Sequence, residues 1–380
     1  MPIKLTLFFT YEVSLDQWAR IGLIKRELRI YEELIKKYDL QVQLLTYGNE
    51  SDYKWLDDID GVTAIPIYSK MRHHRLKFLR LLQTVLIPWK FRSELANQDI
   101  FKTNQMLGGW VAVISKIIFK KPLIVRCGYE IYDFLRLQRK SYKLIWSIWL
   151  LSWLTYKFSN AVHVATSEDA SVVKNSFGVP LSKIEVRPNW IDINIFKPYM
   201  NKNRFTDRVL FVGRLENQKN IFLLLDALCK TEIAIDIVGE GSLKSSLVQH
   251  AKSIGVQVNF LGAIPNNEMP QTYNSYAAYV ICSNYEGNPK TLLEAMACGC
   301  TVIGTDVQGI RSVISNKKNG LLVNENPSSL RLAILEVLSN NRLREVLARN
   351  SIKYIENNNS LQETLPKEFN AYKNCLKSAK

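Results

Sequence analysis

Arg208-Val-Leu-Phe-Val-Gly-Arg-Leu-Glu-Asn-Gln-Lys-Asn220 reads as a buried apolar strand that ends at Gly213, with Arg214 and Lys219 around the start of a helix. The end of a strand that feeds a helix is where open α/β sheets bind ligands. Downstream, Ile233-Ala-Ile-Asp-Ile-Val-Gly-Glu-Gly-Ser242 is a second strand closing on glycines, and Val256-Gln-Val-Asn-Phe-Leu-Gly262 is a third. In the glycine turn, Glu240 reads as structural and Ser242 as the cap of the next helix. Strand, glycine and helix therefore repeat, which argues for a parallel, doubly wound sheet.

Further along, Glu286-Gly-Asn-Pro-Lys-Thr-Leu-Leu-Glu294 puts two carboxylates eight positions apart, with a Gly-Asn-Pro turn after the first and a helical run carrying the second. The unpaired N–H groups at the start of that helix, together with its dipole, suit a phosphate group. Arg214 offers a planar fork of donors and Lys219 a compact charge, and both suit a diphosphate. Two acids at this spacing are common by chance, so the weight lies in their context.

The combination of Gly213-Arg214 with Lys219, Val238-Gly-Glu-Gly-Ser242, Phe260-Leu-Gly262, Glu286 to Ala295 and Ala297-Cys-Gly-Cys-Thr-Val-Ile303 resembles the nucleotide-binding half of retaining glycosyltransferases of family 4. Those enzymes have the GT-B fold, an α/β architecture of two facing Rossmann-like, doubly wound parallel-sheet domains with an interdomain cleft. The amino-terminal half is similar to a bacterial branch of the same family through Tyr11-Glu-Val-Ser-Leu-Asp-Gln-Trp18, Lys102-Thr-Asn-Gln-Met106, Arg126-Cys-Gly-Tyr129 and Pro188-Asn-Trp-Ile-Asp192. The resemblance implies transfer of a sugar, with retention, from a nucleoside-diphosphate sugar such as a UDP-sugar to a hydroxyl of a lipid-linked or polysaccharide acceptor. The setting it implies is bacterial surface glycan synthesis, of the lipopolysaccharide or capsule kind. The alternatives are a GT-B nucleotide-sugar epimerase or phosphorylase, and a catalytically inactive, membrane-attached subunit of a glycan assembly complex.

The resemblance also implies roles. Arg214 and Lys219 neutralise the diphosphate, Glu286 contacts the donor sugar, and these three form the catalytic set. Gly213, Gly262, Asn288, Pro289, Lys290 and Thr291 line the donor, and Glu294 binds ribose hydroxyls. A sugar–phosphate bond breaks with negative charge growing on the diphosphate, so fixed cations and amide dipoles lower the barrier without a metal. No metal and no cofactor are expected. Many family members carry a His-Asp or similar pair near the cleft in the first domain, but this chain reads Arg126-Cys127-Gly128-Tyr129-Glu130 there, with no histidine. Acceptor-side candidates are instead Ser14, Asn104, Gln105, Arg126 and Tyr129, at or just beyond strand ends.

The length of 380 residues suits two domains of nearly equal size. Strands at Ile3 to Phe9, Val42 to Leu45, 61–67, 100–103, 123–126, 161–165 and 184–187 alternate with helices, the stretch Trp18 to Tyr38 among them. The first domain is expected over 1–195, with a closing helix over 361–380 crossing back onto it, and the second over 204–360, with the hinge near Pro188 to Asn203. His163 reads as a packed histidine. With 47% hydrophobic and 22% charged residues the composition is that of a globular protein. Six cysteines without zinc-type spacing, and no secretory segment at the start, fit a reducing cytoplasm.

The net charge of +15 is uneven. No acid occurs between Asp60 and Glu94, where Lys70, Arg72, Arg75, Lys77, Arg80, Lys90 and Arg92 alternate with leucines, Phe78 and Trp89. The segment reads either as an interfacial helix on an anionic membrane or as a core helix with a solvated basic face. No nucleic-acid motif accompanies the charge, so nucleic acid is not an expected partner. Leu144 to Leu154 is too short to span a bilayer and reads as a core helix under the first sheet, with Trp146, Trp149, Leu150 and Trp153 on one stripe. The expected location is the cytoplasm, peripheral to the inner face of the cell membrane.

Overall fold

A computed structural model describes residues 2–20, 22–57, 59–200 and 203–378. By contacts the chain divides into Met1–Arg187 with Leu365–Lys380, and Pro188–Thr364. Residues 188–195, which sequence reasoning assigns to the first domain, make hydrogen bonds within the second unit. Ile191 N–H donates to the Asn359 carbonyl, and the Ile191 carbonyl accepts from Leu361 N–H.

The first unit holds β1 (Ile3–Phe8), β2 (Leu40–Thr46), β3 (Val62–Pro66), β4 (Ile100–Thr103), β5 (Leu123–Cys127), β6 (Ala161–Val164) and β7 (Ile184–Val186). They form one parallel sheet in the order β3-β2-β1-β4-β5-β6-β7. Between β1 and β2 the helical pattern is broken into Leu15–Arg20 and Ile24–Lys37, because Gly22 takes a left-handed φ of 68°.

The second unit holds β8 (Arg208–Val212), β9 (Ala234–Val238), β10 (Val258–Gly262), β11 (Ala278–Ile281), β12 (Thr301–Thr305) and β13 (Leu321–Val323), ordered β10-β9-β8-β11-β12-β13. The inner strands β8, β9, β11 and β12 are buried along most of their length because both faces are covered, whereas the edge strand β10 alternates half-buried with exposed positions. Successive residues alternate faces. Phe211 and Val280 enter a cluster with Leu224 and Ile334, whereas Leu210, Tyr279 and Ile281 enter one with Leu292 and Met296. The structure is thus two Rossmann-like parallel-sheet units, the architecture of the GT-B fold.

The same alternation in the first sheet produces a polar contact in its core. Phe101, Val162 and Val164 pack into the apolar cluster on one face. Lys102 and His163, one position away from them, belong to the other face. There Lys102 forms a buried ion pair with Glu368 of the closing helix Leu361–Ser378 and is also bonded to Tyr372 Oη at 3.2 Å. Burial alone would lower the Lys102 pKa, but Glu368 and Tyr31 together more than offset it and the pKa is raised; burial would raise the Glu368 carboxyl, but Lys102, with His163 and Tyr372, holds it below its usual range. His163 is fully buried, which pushes its pKa down to about 3, so it is a neutral packed histidine. Phe369 stacks on Tyr38 with ring centroids 4.2 Å apart, so the closing helix from Leu365 onward packs within the first unit. Ala379 and Lys380, the last residues of the expected 361–380 helix, lie outside the described residues.

Two apolar segments differ from expectation. Residues 77–90 are broken into a two-turn helix, Lys77–Gln83, a 3-10 turn, Thr84–Leu86, and a short helix, Ile87–Lys90, and the first has no buried residue, so the core-helix reading fails there. The helix Tyr142–Phe158 is a core helix only in part. Ser152, Thr155 and Tyr156 are buried and Trp149 and Trp153 pack on the core, whereas Tyr142, Leu144 and Trp146 are exposed.

The buried ion pair gives a test. Removing one partner strands a charge in the core, so Lys102→Met or Glu368→Gln is expected to cost roughly 3–5 kcal/mol in urea unfolding. The double variant Lys102→Met/Glu368→Leu is expected to recover most of that loss.

Candidate functional site

The order of the second sheet reverses between β8 and β11, the switch point at which open α/β sheets bind ligands beyond the carboxyl ends of their strands. The loops leaving those two strands are joined by hydrogen bonds. Gln218 Nε2 donates to the Tyr285 carbonyl at 3.0 Å, Asn284 N–H to the Gln218 carbonyl at 2.9 Å, and Asn284 Nδ2 to the Asn217 carbonyl at 3.1 Å. Cys282 Sγ lies 3.3 Å from the Lys219 carbonyl. Across this seam Lys219 Nζ donates to Glu286 Oε1, which also accepts from Ser283 Oγ at 2.6 Å. The two side chains are only 14% and 7% exposed. Two of the three residues expected to carry catalysis are therefore one ion pair, and the third, Arg214, is exposed on the same loop.

Two glycines allow the backbones to meet. A Cβ on Gly239, whose φ is 134°, would lie 2.0 Å from the Gly213 carbonyl oxygen, and one on Gly309 would lie 2.0 Å from that of Gly287. The turn at Gly213 is thus backed by the end of β9, and the turn after Glu286 by the short helix Gln308–Arg311 that follows β12. Gly262 ends β10 with a φ of 72° beside the Glu240 carboxylate. Ser242 does not cap the next helix, which starts at Lys244 after Leu243 without a side-chain cap. Its hydroxyl instead donates to Glu216 at 2.9 Å, tying the β9 loop to the β8 loop.

The helix Lys290–Ala297 starts at Pro289 with no side-chain cap, so its first N–H groups are not taken by a capping side chain. Glu294 is buried within it and accepts from Tyr273 Oη at 3.0 Å. Thr291 Oγ1 is bonded to Tyr279 Oη at 2.9 Å, and Lys290 lies over the Trp190 ring. Asn288 is engaged by the backbone: its Oδ1 accepts from Asn189 N–H at 2.8 Å and its carbonyl from Asn189 Nδ2. The side chains of Asn288 and Thr291 thus shape the turn at the start of this helix.

In the first unit the order reverses between β1 and β4, and Ser14, Asn104 and Gln105 lie just beyond those two strands. Ser14 forms a reciprocal cap with Gln17, its Oγ accepting from Gln17 N–H at 3.2 Å. Asn104 N–H donates to the Phe8 carbonyl at 2.8 Å, and Gln105 Oε1 accepts from Gly128 N–H at 2.8 Å. Arg126 Nη1 donates to the Arg187 carbonyl at 2.5 Å, and the exposed Tyr129 stacks on Phe134. Ser14, Gln105 and Arg126 thus have structural partners, and Tyr129 presents its ring at the surface.

Sequence reasoning passed over Glu130 as a functional or structural group. It is fully buried, bonded to Tyr156 Oη, Ser152 Oγ at 3.4 Å and Tyr132 N–H at 3.2 Å. Burial, offset only in part by those hydrogen bonds and one from Cys127, pushes its carboxyl up to about 7. Burial likewise pushes Asp169 up to about 6. Only the missing histidine at this place is visible in sequence; the pocket that lifts Glu130 is made by the helix Tyr142–Phe158. Among the described residues no group of three or more His, Cys, Asp or Glu side chains is placed to hold a metal ion, and no helix is long and apolar enough to cross a membrane.

Residues 194–354 match the model of the family described as glycosyl transferases group 1. An uncharacterized glycosyltransferase of Methanocaldococcus jannaschii is 30% identical over 238 residues, 58% of this chain and 61% of that protein. A Campylobacter jejuni protein, named a GalNAc-alpha-(1->4)-GalNAc-alpha-(1->3)-diNAcBac-PP-undecaprenol alpha-1,4-N-acetyl-D-galactosaminyltransferase, is 26% identical over 334 residues, covering 84% of this chain and 86% of its own. Among solved structures, Anabaena HepE in complex with UDP superposes with a TM-score of 0.77 at 17% identity, covering 98% of this chain and all of that one, and so shows the fold. Fold, family match and relatives together support a GT-B glycosyltransferase.

The buried carboxyl gives a pH test. Between the ordinary carboxylate range and about 7 the folded chain keeps a proton on Glu130 that the unfolded chain has released, so this group's contribution to stability is lost as pH rises through that window. Glu130→Gln stays neutral throughout. Its stability relative to the parent is expected to be greater at about pH 8 than at about pH 5, by up to about 3 kcal/mol in urea titrations.

Proposed function

We propose that this chain is a retaining glycosyltransferase of family 4 that moves a sugar from a UDP-sugar to a hydroxyl of a lipid-diphosphate-linked or polysaccharide acceptor in bacterial surface glycan synthesis, acting at the inner face of the membrane. The observation that carries the reading is the Lys219–Glu286 pair at the switch point of the second sheet, with Arg214 beside it and the uncapped start of Lys290–Ala297 after it. Breaking the bond between the anomeric carbon and the diphosphate oxygen leaves the electron pair on the diphosphate. Lys219 spends one of its three donors on Glu286 and keeps two for that charge, and Arg214 and the helix-start amides add to them. Glu286 holds Lys219 in place and accepts from a sugar hydroxyl, and Glu294 is assigned to ribose hydroxyls. These fixed cations supply the charge stabilisation a metal would give, so turnover is assigned as metal-independent. Support for a lipid-diphosphate acceptor comes from the undecaprenol-diphosphate substrate in the name of the Campylobacter jejuni relative, and support for UDP from the nucleotide bound to Anabaena HepE.

Lys219→Ala, Glu286→Ala and Arg214→Ala are each expected to lower turnover roughly 10- to 100-fold, since a charged hydrogen bond contributes about 1.5–3 kcal/mol. The exposed Arg214→Ala is expected to keep the parent's melting temperature, whereas Lys219→Ala and Glu286→Ala lower it because each leaves a nearly buried charge unpaired. Near-parental turnover in two of the three refutes the site. In a nucleotide panel, UDP is expected to raise the melting temperature more than GDP or ADP. NMR of the product is expected to show the anomeric configuration of the donor, and transfer is expected to persist in a chelator; an inverted product or loss of activity in chelator corrects the corresponding part of the reading.

A further inference from the structure

We infer that the carboxyl edge of the first sheet is a docking surface for an anionic lipid bilayer, built from two separate basic and apolar projections. The first is the segment after β3, where Leu76, Phe78, Leu82, Leu86 and Trp89 are all more than half exposed. It is fixed at that edge by two contacts. Trp110, in the first turn of the helix that follows β4, donates its Nε1–H to Thr84 Oγ1 at 3.0 Å, and Arg80 Nε donates to Glu12 Oε1, in the loop after β1, at 2.5 Å. Arg80 is thereby turned inward, with its guanidinium also donating to the His74 and Arg75 carbonyls, while those apolar side chains stay more than half exposed.

The second projection is the start of the helix Tyr142–Phe158. Because β5 and β6 are parallel, this connecting helix returns towards the amino edge, and its first residues begin at the carboxyl edge. Ser152 is level with that edge, where it meets Met106 and Glu130 in the loops after β4 and β5. Tyr142 lies ten residues earlier, about 15 Å further out along the axis. Tyr142 is 90% exposed and Trp146 63%. Both projections flank the helix Gly109–Phe119: Trp110 bonds Thr84 of the first, and Gly109 sits against Thr155 of the helix that carries the second.

Charge selects the partner. No acid lies between Asp60 and Glu94, nor between Asp133 and Glu168, while Arg72, Arg75 and Lys77 accompany the first projection and Arg139, Lys140 and Lys143 the second. Two like-charged apolar projections repel a second copy of themselves and complement a negative leaflet, where aromatic side chains settle at headgroup depth. Ser14, Asn104, Gln105 and Tyr129 follow strands that end at this same edge, so docking presents a lipid-anchored acceptor to them. That last consequence rests on the transferase reading; the docking surface does not.

Sedimentation with phosphatidylcholine vesicles containing phosphatidylglycerol tests it. The full chain is expected to bind these vesicles, to bind pure phosphatidylcholine far less, and to be released by salt. Phe78→Ser/Leu82→Ser/Trp146→Ser is expected to weaken partitioning at least about tenfold, and Arg75→Glu/Lys143→Glu about fivefold or more per charge, with unchanged melting temperatures. Parental binding by both variants overturns the surface. A dimer in solution that the apolar variant disperses assigns the face to a second copy and also overturns it. A chain that ignores vesicles while UDP raises its melting temperature overturns the docking surface and leaves the transferase reading standing, whereas vesicle binding with no nucleotide shift does the reverse.

Discussion

The second unit is organised around an ion pair that the sheet cannot avoid making. Lys219 and Glu286 come from loops after β8 and β11, strands adjacent in space but separated in sequence by β9 and β10. With both charges nearly buried, neither tolerates the other's absence, since a lone buried charge costs several kcal/mol. Ser283 and the seam of loop hydrogen bonds offset their desolvation. The pair therefore ties the two loops together, and in the proposed reading it leaves donors of Lys219 for the diphosphate.

The first unit uses the same physics for a different end. Lys102 and Glu368 bury opposite charges under the sheet, and the tyrosine hydroxyl of Tyr372 satisfies part of what remains. There the pair fastens a helix distant in sequence and leaves no charge for a ligand. Glu130 shows a third solution, a single carboxyl whose pKa rises because burial outweighs the hydrogen bonds it accepts. Burial is common to all three, and the nature of the partner decides whether the group binds, fastens or stays protonated.

Much of this was legible in the residues. Largely apolar runs closing on glycine located β8, β9 and β10, because a strand of a parallel sheet covered on its faces favours apolar residues. The strands of the first sheet were legible for the same reason. β11 and β13 went unmarked: Ala278 to Ile281 and Leu321 to Val323 are short and no glycine motif announces them. Without β11 the switch point cannot be placed, although Glu286 follows it by five residues. The expected cap at Ser242 failed because a serine hydroxyl before a helix can either accept from a helix-start N–H or donate to a nearby carboxylate, here Glu216, and sequence does not rank the two. The apolar stripe of the helix Tyr142–Phe158 misled in a similar way, since periodicity reports a face and not what covers it.

By itself the sequence determined the elements and the residue types at their ends: strands of parallel character, glycines where backbones close, and a lysine, an arginine and two acids next to a helix start. It could do so because strand burial, turn geometry and helix starts depend on neighbours within a few positions. Only the tertiary structure decided that Lys219 meets Glu286, that Lys102 meets Glu368, that Glu130 is enclosed, and that the apolar turns after β3 face outward. Each of these depends on a partner tens or hundreds of residues away, and both the desolvation of a charge and the exposure of an apolar side chain are set by that partner and not by the local chain.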